Sequence, residues 1–516
     1  MIKCFLQFFL IAISVSSLIF SQTNYYVSES GSNGNNGLTP QTAFATLQYA
    51  ADMVSAGDSV LVLEGNYVGF DIRTSGTQNF SIVFKAIENN VVIDERNPVT
   101  IDGINIENAT WIMIDGFEVT DQPRAGIRIV LSDFVVIRNN NCYNNYRWGI
   151  FSGFTNDILI ENNSCSFSED EHGIYVSNSS DRPIIRNNHS FNNNGCGIHM
   201  NGDISMGGDG IISNAIVEGN ILHDNGYGGG SAINMDGVQD SEIFNNLIYN
   251  NHATGIAMYQ IDGGDASKNN KAYNNTVIQP SDGRWNILVT DGSTGNTLYN
   301  NILISNHGFR GSISIDAAST TGFISDYNIL VNRLSNDDGN SNMALSQWQS
   351  LGYDLHSMIA DSESQIFVDH TNGNFHLLQT AQTVDAGTNL VLPTVFEDLD
   401  NVSRPQGIGF DIGAYEYTGT TEVVEEHIPQ SFHLFQNYPN PFNPSTKISW
   451  QSTVGSWQTL KVYDVLGNEV AVLVDEYRPA GSYEINFNAS NLSSGVYFYR
   501  IEAGELIQIK SMILIK

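Results

Sequence analysis

The chain has 516 residues, 41% of them apolar, enough for several domains or for one long continuous core. Its 22 basic residues stand against 55 acidic ones, a formal net charge of −33. That balance argues against a protein built to grip the nucleic-acid backbone, and it repels polyanions at long range, polyuronates included.

At the N-terminus, Lys3 precedes the apolar run FLQFFLIAISVSSLIF, and small polar residues follow around Ser21. This is the pattern of a secretory signal peptide over 1–21, and no later stretch is long and apolar enough to span a bilayer. Cleavage removes Cys4 and leaves Cys142, Cys165 and Cys196. Cys142 and Cys165 each follow a paired-asparagine turn at one phase, so they are expected to stack as buried thiols in neighbouring coils. A disulfide between them is the alternative in an oxidising compartment.

Residues 22–100 read as an N-terminal cap and first coils. Leu47, Ala50, Ala51 and Val54 recur at helical spacing before Gly57, and Val60 to Leu63 is a β-branched strand. A solenoid's open end exposes apolar strands and unpaired backbone, so a short amphipathic helix across it is the expected cap. This opening resembles the start of many secreted parallel β-helix proteins of bacteria.

From 101 to 335 one pattern keeps returning: a Gly-Ile-rich strand, a polar turn, a second apolar strand, then paired asparagines. The strands GIRIV, GIFSG, GIYVS, GIHMN, AINMD, GIAMY and NILVT place Ile127, Ile150, Ile174, Ile198, Ile233, Ile256 and Ile287 at spacings of 23, 24, 24, 35, 23 and 31. A period just above twenty marks a solenoid whose units bury their apolar faces only by stacking. Asn140, Asn163, Asn188, Asn220, Asn246, Asn275 and Asn301 recur at one phase, as in an asparagine ladder. Together these features resemble the right-handed parallel β-helix of the pectate-lyase-like superfamily, an all-β fold.

Past Ile313 the regularity fades, and 336–417 reads as a closing region with a short helical pattern at Leu345, Trp348 and Leu351 and the segment DIGAYEY at its end. A charged, Thr-rich linker spans 418–430. Residues 431–516 alternate short strands and turns as a small Ig-like β-sandwich does. Its NYPNPFNPST and LSSGVYFYR motifs closely resemble the C-terminal sorting domain of type IX secretion, which implies export to the surface or medium and the secretion machinery as a partner. The chemistry then lies upstream, in a chain expected to act as a monomer.

Two coils are stretched on one side, by Gly202 to Gly210 after GIHMN and by Gln260 to Asn270 after GIAMY. Loops placed this way wall a groove. If Ile198 and Met200 face the core, His199 and Asn201 face out, as do Tyr175, Asn234, Asp236 and Tyr259 on adjacent coils. Asp203, Asp209, Asp262, Asp265 and Lys268 come from the insertions, and Arg147 and His172 stand at the entrance to lower strands. For a lyase or epimerase on a uronate glycan, His199 or Lys268 is the candidate base and Tyr259 the acid. Asp203, Asp209, Asp262 and Asp265 are candidate ligands for Ca2+, with Asp236 beside them. Arg147, His172, Tyr175, Asn201 and Asn234 are candidate substrate contacts. In a glycoside hydrolase, Asp236 would instead pair with Asp203 or Asp262. A non-catalytic glycan-binding or adhesive protein uses the same face as a scaffold.

Overall fold

The computed structural model describes residues 22–419, 432–437, 439–452, 456–478, 481–504 and 506–516, so the predicted signal peptide and most of the predicted linker lie outside the described residues. Two compact units divide after Gly419.

The first unit is a parallel β-helix in which each coil gives one strand to each of three parallel sheets, of 12, 11 and 12 strands. Parallel pairing begins well before 101, where Asn24–Val27 pairs with Ser59–Val62. In the central sheet the isoleucines of the repeat fall in exact register, Ile127 on Ile150, Ile174, Ile198, Ile233, Ile256 and Ile287. All seven are fully buried in one continuous core. Cys142 and Cys165 pair in register as buried free thiols, as expected for stacked coils.

The paired asparagines divide two tasks between them. The first of each pair takes a left-handed backbone, with φ between 50° and 56° at Asn139, Asn162, Asn187, Asn245, Asn274 and Asn300. The second builds the ladder: the Asn163 Nδ2 group donates to Asn188 Oδ1 at 3.0 Å and to the Ile137 carbonyl at 2.9 Å, and its own Oδ1 accepts from the Asn140 backbone N–H and Nδ2. The same pattern runs on through Asn188, Asn220, Asn246, Asn275 and Asn301, so each buried amide is satisfied by the coils on either side.

Both ends are covered. Helix α1 (Leu47–Met53) buries Leu47, Ala50 and Ala51, and the Thr46 side chain caps it by accepting from the Tyr49 N–H. Helix α2 (Leu345–Ser350) buries Trp348, whose Nε1 donates to Asp354, whereas Leu351 of the predicted helical pattern is exposed. The closing segment runs back along the flank. Side chains of the left-handed Asn245, Asn274 and Asn300 donate to the carbonyls of Glu397, Asp411 and Thr388 on three successive coils. Arg404 and Glu416, both fully buried, lock that segment with a 2.8 Å ion pair.

The second unit packs a three-stranded antiparallel sheet against a four-stranded one. Ile448, Trp450 and Phe487 of the first share a core with Leu460, Val462, Tyr499, Ile501 and Met512 of the second, as a β-sandwich requires.

Candidate functional site on the strand face of the central sheet

Five consecutive coils present strands β1 (Trp148–Gly153), β2 (Ile174–Ser177), β3 (Ile198–Asn201), β4 (Ser231–Asp236) and β5 (Thr254–Tyr259). Their alternation sends one set of side chains to the core, with Ile198 and Met200 fully buried. The other set forms two outward columns, Phe151–Tyr175–His199–Asn234 and Ser177–Asn201–Asp236–Tyr259. Parallel strands stand about 4.8 Å apart, so these neighbours are in contact range. The predicted contact His172 belongs to a third column, with Trp148 and Cys196, which were not among the predicted site residues; each sits two residues before the first isoleucine of its strand. Trp148 opens β1, whereas His172 and Cys196 lie in the turns before β2 and β3, and the recurrence of this position before each Gly-Ile pair was readable.

The lower part of the face is aromatic. Trp148 stacks on Phe151 at 4.5 Å between centroids, and the Tyr175 ring lies on His199 at 4.7 Å and 13°. Glu171 holds this end together. It accepts from Trp148 Nε1 at 2.7 Å and pairs with Arg147, whose guanidinium covers the Trp148 ring at 4.6 Å.

His172 and His199 form a relay whose tautomers follow from its starting point. The Cys196 backbone N–H donates to His172 Nδ1 at 3.0 Å, and an amide can only donate. His172 is neutral, because burial first, then His199 and Arg147, hold its pKa well below the usual histidine range. Its one proton is therefore on Nε2, which lies 2.8 Å from His199 Nδ1 and donates to it. His199, held by burial at a pKa of about 4, then carries its proton on Nε2. That Nε2 is buried and has no hydrogen-bond partner among the described residues. His199 is thus a neutral N–H donor with an unmet bond, not a free base. Glycines allow the close packing: a Cβ at Gly195 would lie 2.6 Å from His172 Nδ1, and one at Gly230 2.6 Å from Cys196 Sγ.

Higher up, Asn234 Nδ2 donates to the Tyr259 hydroxyl oxygen at 2.7 Å, which leaves the phenolic proton to point elsewhere. Burial, then the Asp236 carboxylate, push the Tyr259 pKa up and keep it protonated. Asn201 Nδ2 reaches the Tyr175 hydroxyl and Asp262, each at 3.4 Å.

The two insertions lie against each other as well as beside the groove. Ile204 N–H donates to the Asp262 carbonyl at 2.9 Å, and Gly264 N–H to the Gly210 carbonyl at 2.8 Å. Asp236 nucleates this structure: its carboxylate is buried and accepts the backbone N–H groups of Ile261, Asp262 and Gly263 at 2.8–3.0 Å. An oxygen pair so occupied anchors a loop; it is not presented to a substrate. Asp203 caps a short 3-10 turn by accepting from Ser205, and Asp209 accepts from the Ile211 N–H. Asp265 accepts two 2.7 Å bonds from the Lys268 ammonium and one of 2.8 Å from the Ala266 N–H. Of the four predicted calcium aspartates, Asp203 and Asp209 stand in the first insertion and Asp262 and Asp265 in the second. Among the described residues, three metal-ligating side chains come together at His172, Cys196 and His199, one atom of each lying within 4.8 Å of the others.

A family profile described as "Right handed beta helix region" matches residues 165–328, and "Secretion system C-terminal sorting domain" matches 436–516. The chain is a right-handed β-helix with a sorting domain. A third profile, "Periplasmic copper-binding protein (NosD)", matches residues 52–216. Among solved structures, this β-helix protein is similar to pectate lyase Pel9A, with a TM-score of 0.52 and 15% identity over 77% of this chain and 96% of that one. An alginate lyase from Paenibacillus sp. str. FPU-7 aligns at TM-score 0.40 and 19% identity, over 52% of this chain and 94% of that one. The uncharacterized protein YwoF of Bacillus subtilis (strain 168) is 35% identical over 102 residues, which is 19% of this chain and 22% of that protein, so the chain spans about a fifth of that relative. No helix among the described residues is long and apolar enough to cross a membrane.

Proposed function

We propose that β1 to β5 line a glycan-binding groove of an exported carbohydrate-active protein, and that its reaction is β-elimination on a uronate-containing polysaccharide. The observation that carries this reading is the register of an aromatic strip, Phe151 and Tyr175, with two neutral donors, the Asn201 amide and the Tyr259 hydroxyl. Aromatic faces take up sugar rings. A neutral N–H aimed at a uronate carboxylate stabilises the charge that develops there as the C5 proton passes to a base, for which Lys268 is the remaining candidate, and Tyr259 can protonate the departing glycosidic oxygen. Hydrolysis fits less well, because a hydrolase needs two free carboxylates and Asp236 is enclosed by loop amides. The similarity in fold to a pectate lyase makes polyuronates the first substrates to test.

A second reading, a non-catalytic glycan-binding protein, is favoured by one observation. The ring lone pairs of His172 and His199 are spent on the relay, and Lys268, the remaining candidate base, is held by Asp265. Incubation with a panel of polyuronates separates the two. Absorbance growing near ~235 nm from unsaturated products is the outcome expected of a lyase; new reducing ends without absorbance would indicate a hydrolase, and binding without either would leave the scaffold reading. Running the panel with added Ca2+ and with a chelator tests whether the acidic turns supply calcium.

A further inference from the structure

Above β5 the central sheet continues through the strands Ile287–Val289 and Ile313–Ile315, and the turns that lead into them carry Arg284 and Arg310. Each arginine stands three residues before its isoleucine, and Ile287 pairs with Ile313. The two therefore occupy one column on neighbouring coils, which stack about 4.8 Å apart. Arg333 joins them: its Nε donates to the Arg310 carbonyl at 3.1 Å, and its Nη2 to the carbonyls of Ser305 and His307 at 2.8 and 2.9 Å.

Their surroundings set these three apart. Every other lysine or arginine of the described β-helix, Arg96 excepted, lies within ion-pair distance of a carboxylate. The side chains of Arg284 and Arg310 have no ion pair and no hydrogen bond among the described residues, Arg284 being exposed and Arg310 half-buried. Arg333 directs its donors to carbonyls, which hold a guanidinium without cancelling its charge. The nearest acid in sequence, Asp282, makes its 2.8 Å contact with His252 Nδ1 instead. Guanidiniums gathered without a carboxylate partner repel one another, and a bound anion relieves that repulsion.

The turn that carries Arg310 is built to hold one shape. His307 Nδ1 accepts the N–H groups of Phe309 and Arg310 at 2.9 Å each, Ser305 Oγ donates to the Arg310 carbonyl at 3.1 Å, and Asn342 Nδ2 donates to the Phe309 carbonyl at 2.7 Å. Two amides on Nδ1 place the His307 proton on Nε2. Burial, then Arg310 and Arg333, lower the His307 pKa and keep that ring neutral. The Phe309 ring, next to Arg310 in the chain, is 45% exposed. Two guanidiniums and an open ring face are the parts that a sugar bearing an anionic group requires.

We propose that Arg284 and Arg310, with Phe309 beside them, form a subsite for an anionic sugar, and that the group they grip is a carboxylate or a sulfate ester on a chain that leaves the groove past β5. Guanidinium forks pair their N–H groups with the oxygens of either. The subsite extends the groove proposed above and so rests on that reading. A chain of net charge −33 repels polyanions at long range, and a local cluster of unpaired guanidiniums is what allows one to be held.

Calorimetric titration of the full chain with three oligosaccharides of one length tests the subsite: an oligogalacturonate, its carboxyl-reduced neutral form, and a sulfated galactan oligosaccharide without carboxylates. The two anionic probes separate the two sources of charge. At least one of them should bind the wild type more tightly than the neutral form does and lose about tenfold or more in the double variant Arg284→Gln, Arg310→Gln, while the neutral form does not distinguish the two proteins. Neither replaced side chain makes a hydrogen bond among the described residues, so the fold is kept. Arg96→Gln, which removes the same charge near the first coils, should leave every affinity unchanged. The proposal is overturned if neither anionic probe binds, if the double variant binds both as the wild type does, or if Arg96→Gln weakens them equally. Tyr175→Ala judges the groove separately. Loss of the neutral form there, with no advantage for an anionic probe, keeps the groove and removes the subsite; loss of an anionic probe in the arginine variant but not in Tyr175→Ala keeps the subsite and removes the groove.

Discussion

At the scale of single residues, much of the groove was legible because alternation is a strict rule. His199, Asn201, Asn234 and Tyr259 were placed outward on adjacent coils, and they lie in register there. Two things were not legible. The roles of Asp236 and His199 are set by backbone N–H groups, from Ile261 to Gly263 and from Cys196, and sequence does not show which side chain an amide will meet. Glu171 sits in a turn, outside the alternation, and Trp148 stands at the very start of β1. If elimination is the reaction, Tyr259→Phe should lower kcat by about 10²–10⁴-fold, the worth of a general acid, with KM little changed; a KM effect alone would make Tyr259 a binding residue. The histidine relay has a pH signature. His199 has its pKa lowered on folding, from an ordinary 6.5 to about 4, so its stabilising contribution is complete above about pH 6.5 and is lost as pH falls toward 4. The stability advantage of the wild type over His199→Asn should therefore shrink across that window in denaturant titrations, and an advantage constant from pH 7 to 4 would contradict the neutral relay.

Among elements, the asparagine pairs show what a sequence pattern can and cannot carry. The pairs marked the turn correctly, but the division between a left-handed first residue and a ladder-forming second one needed the coordinates. Asn163→Ala strips the acceptor from the Asn140 N–H and Nδ2, and each orphaned buried group costs about 1–3 kcal/mol. Asn162→Gly keeps the left-handed turn that glycine adopts freely and should change stability by a few tenths of a kcal/mol. Chemical denaturation of the two variants separates the roles, and similar losses in both would refute the assignment. The insertion after β5 depends on Asp236 in the same way. Asp236→Asn puts an amide donor against three backbone donors, so limited proteolysis within residues 260–270 should accelerate while the melting of the coils stays nearly unchanged.

For the whole molecule, the division into an exported body and a sorting tail was read from composition and motifs, and the two units have separate cores. A chain ending at Gly419 should keep the thermal transition of the β-helix, measured by circular dichroism; loss of that transition would show that the cores are coupled. The closing region at 336–417 also runs along the side of the coils. It covers the flank by binding the left-handed asparagines of three coils, a pairing between residues more than 80 apart that no local pattern announces. The central claim is that the face of β1 to β5 holds a glycan. Calorimetric titration of the protein with defined oligouronates, wild type beside Tyr175→Ala, tests it most directly: the wild type should bind and the variant lose at least tenfold in affinity, whereas equal binding by both proteins would place the glycan elsewhere.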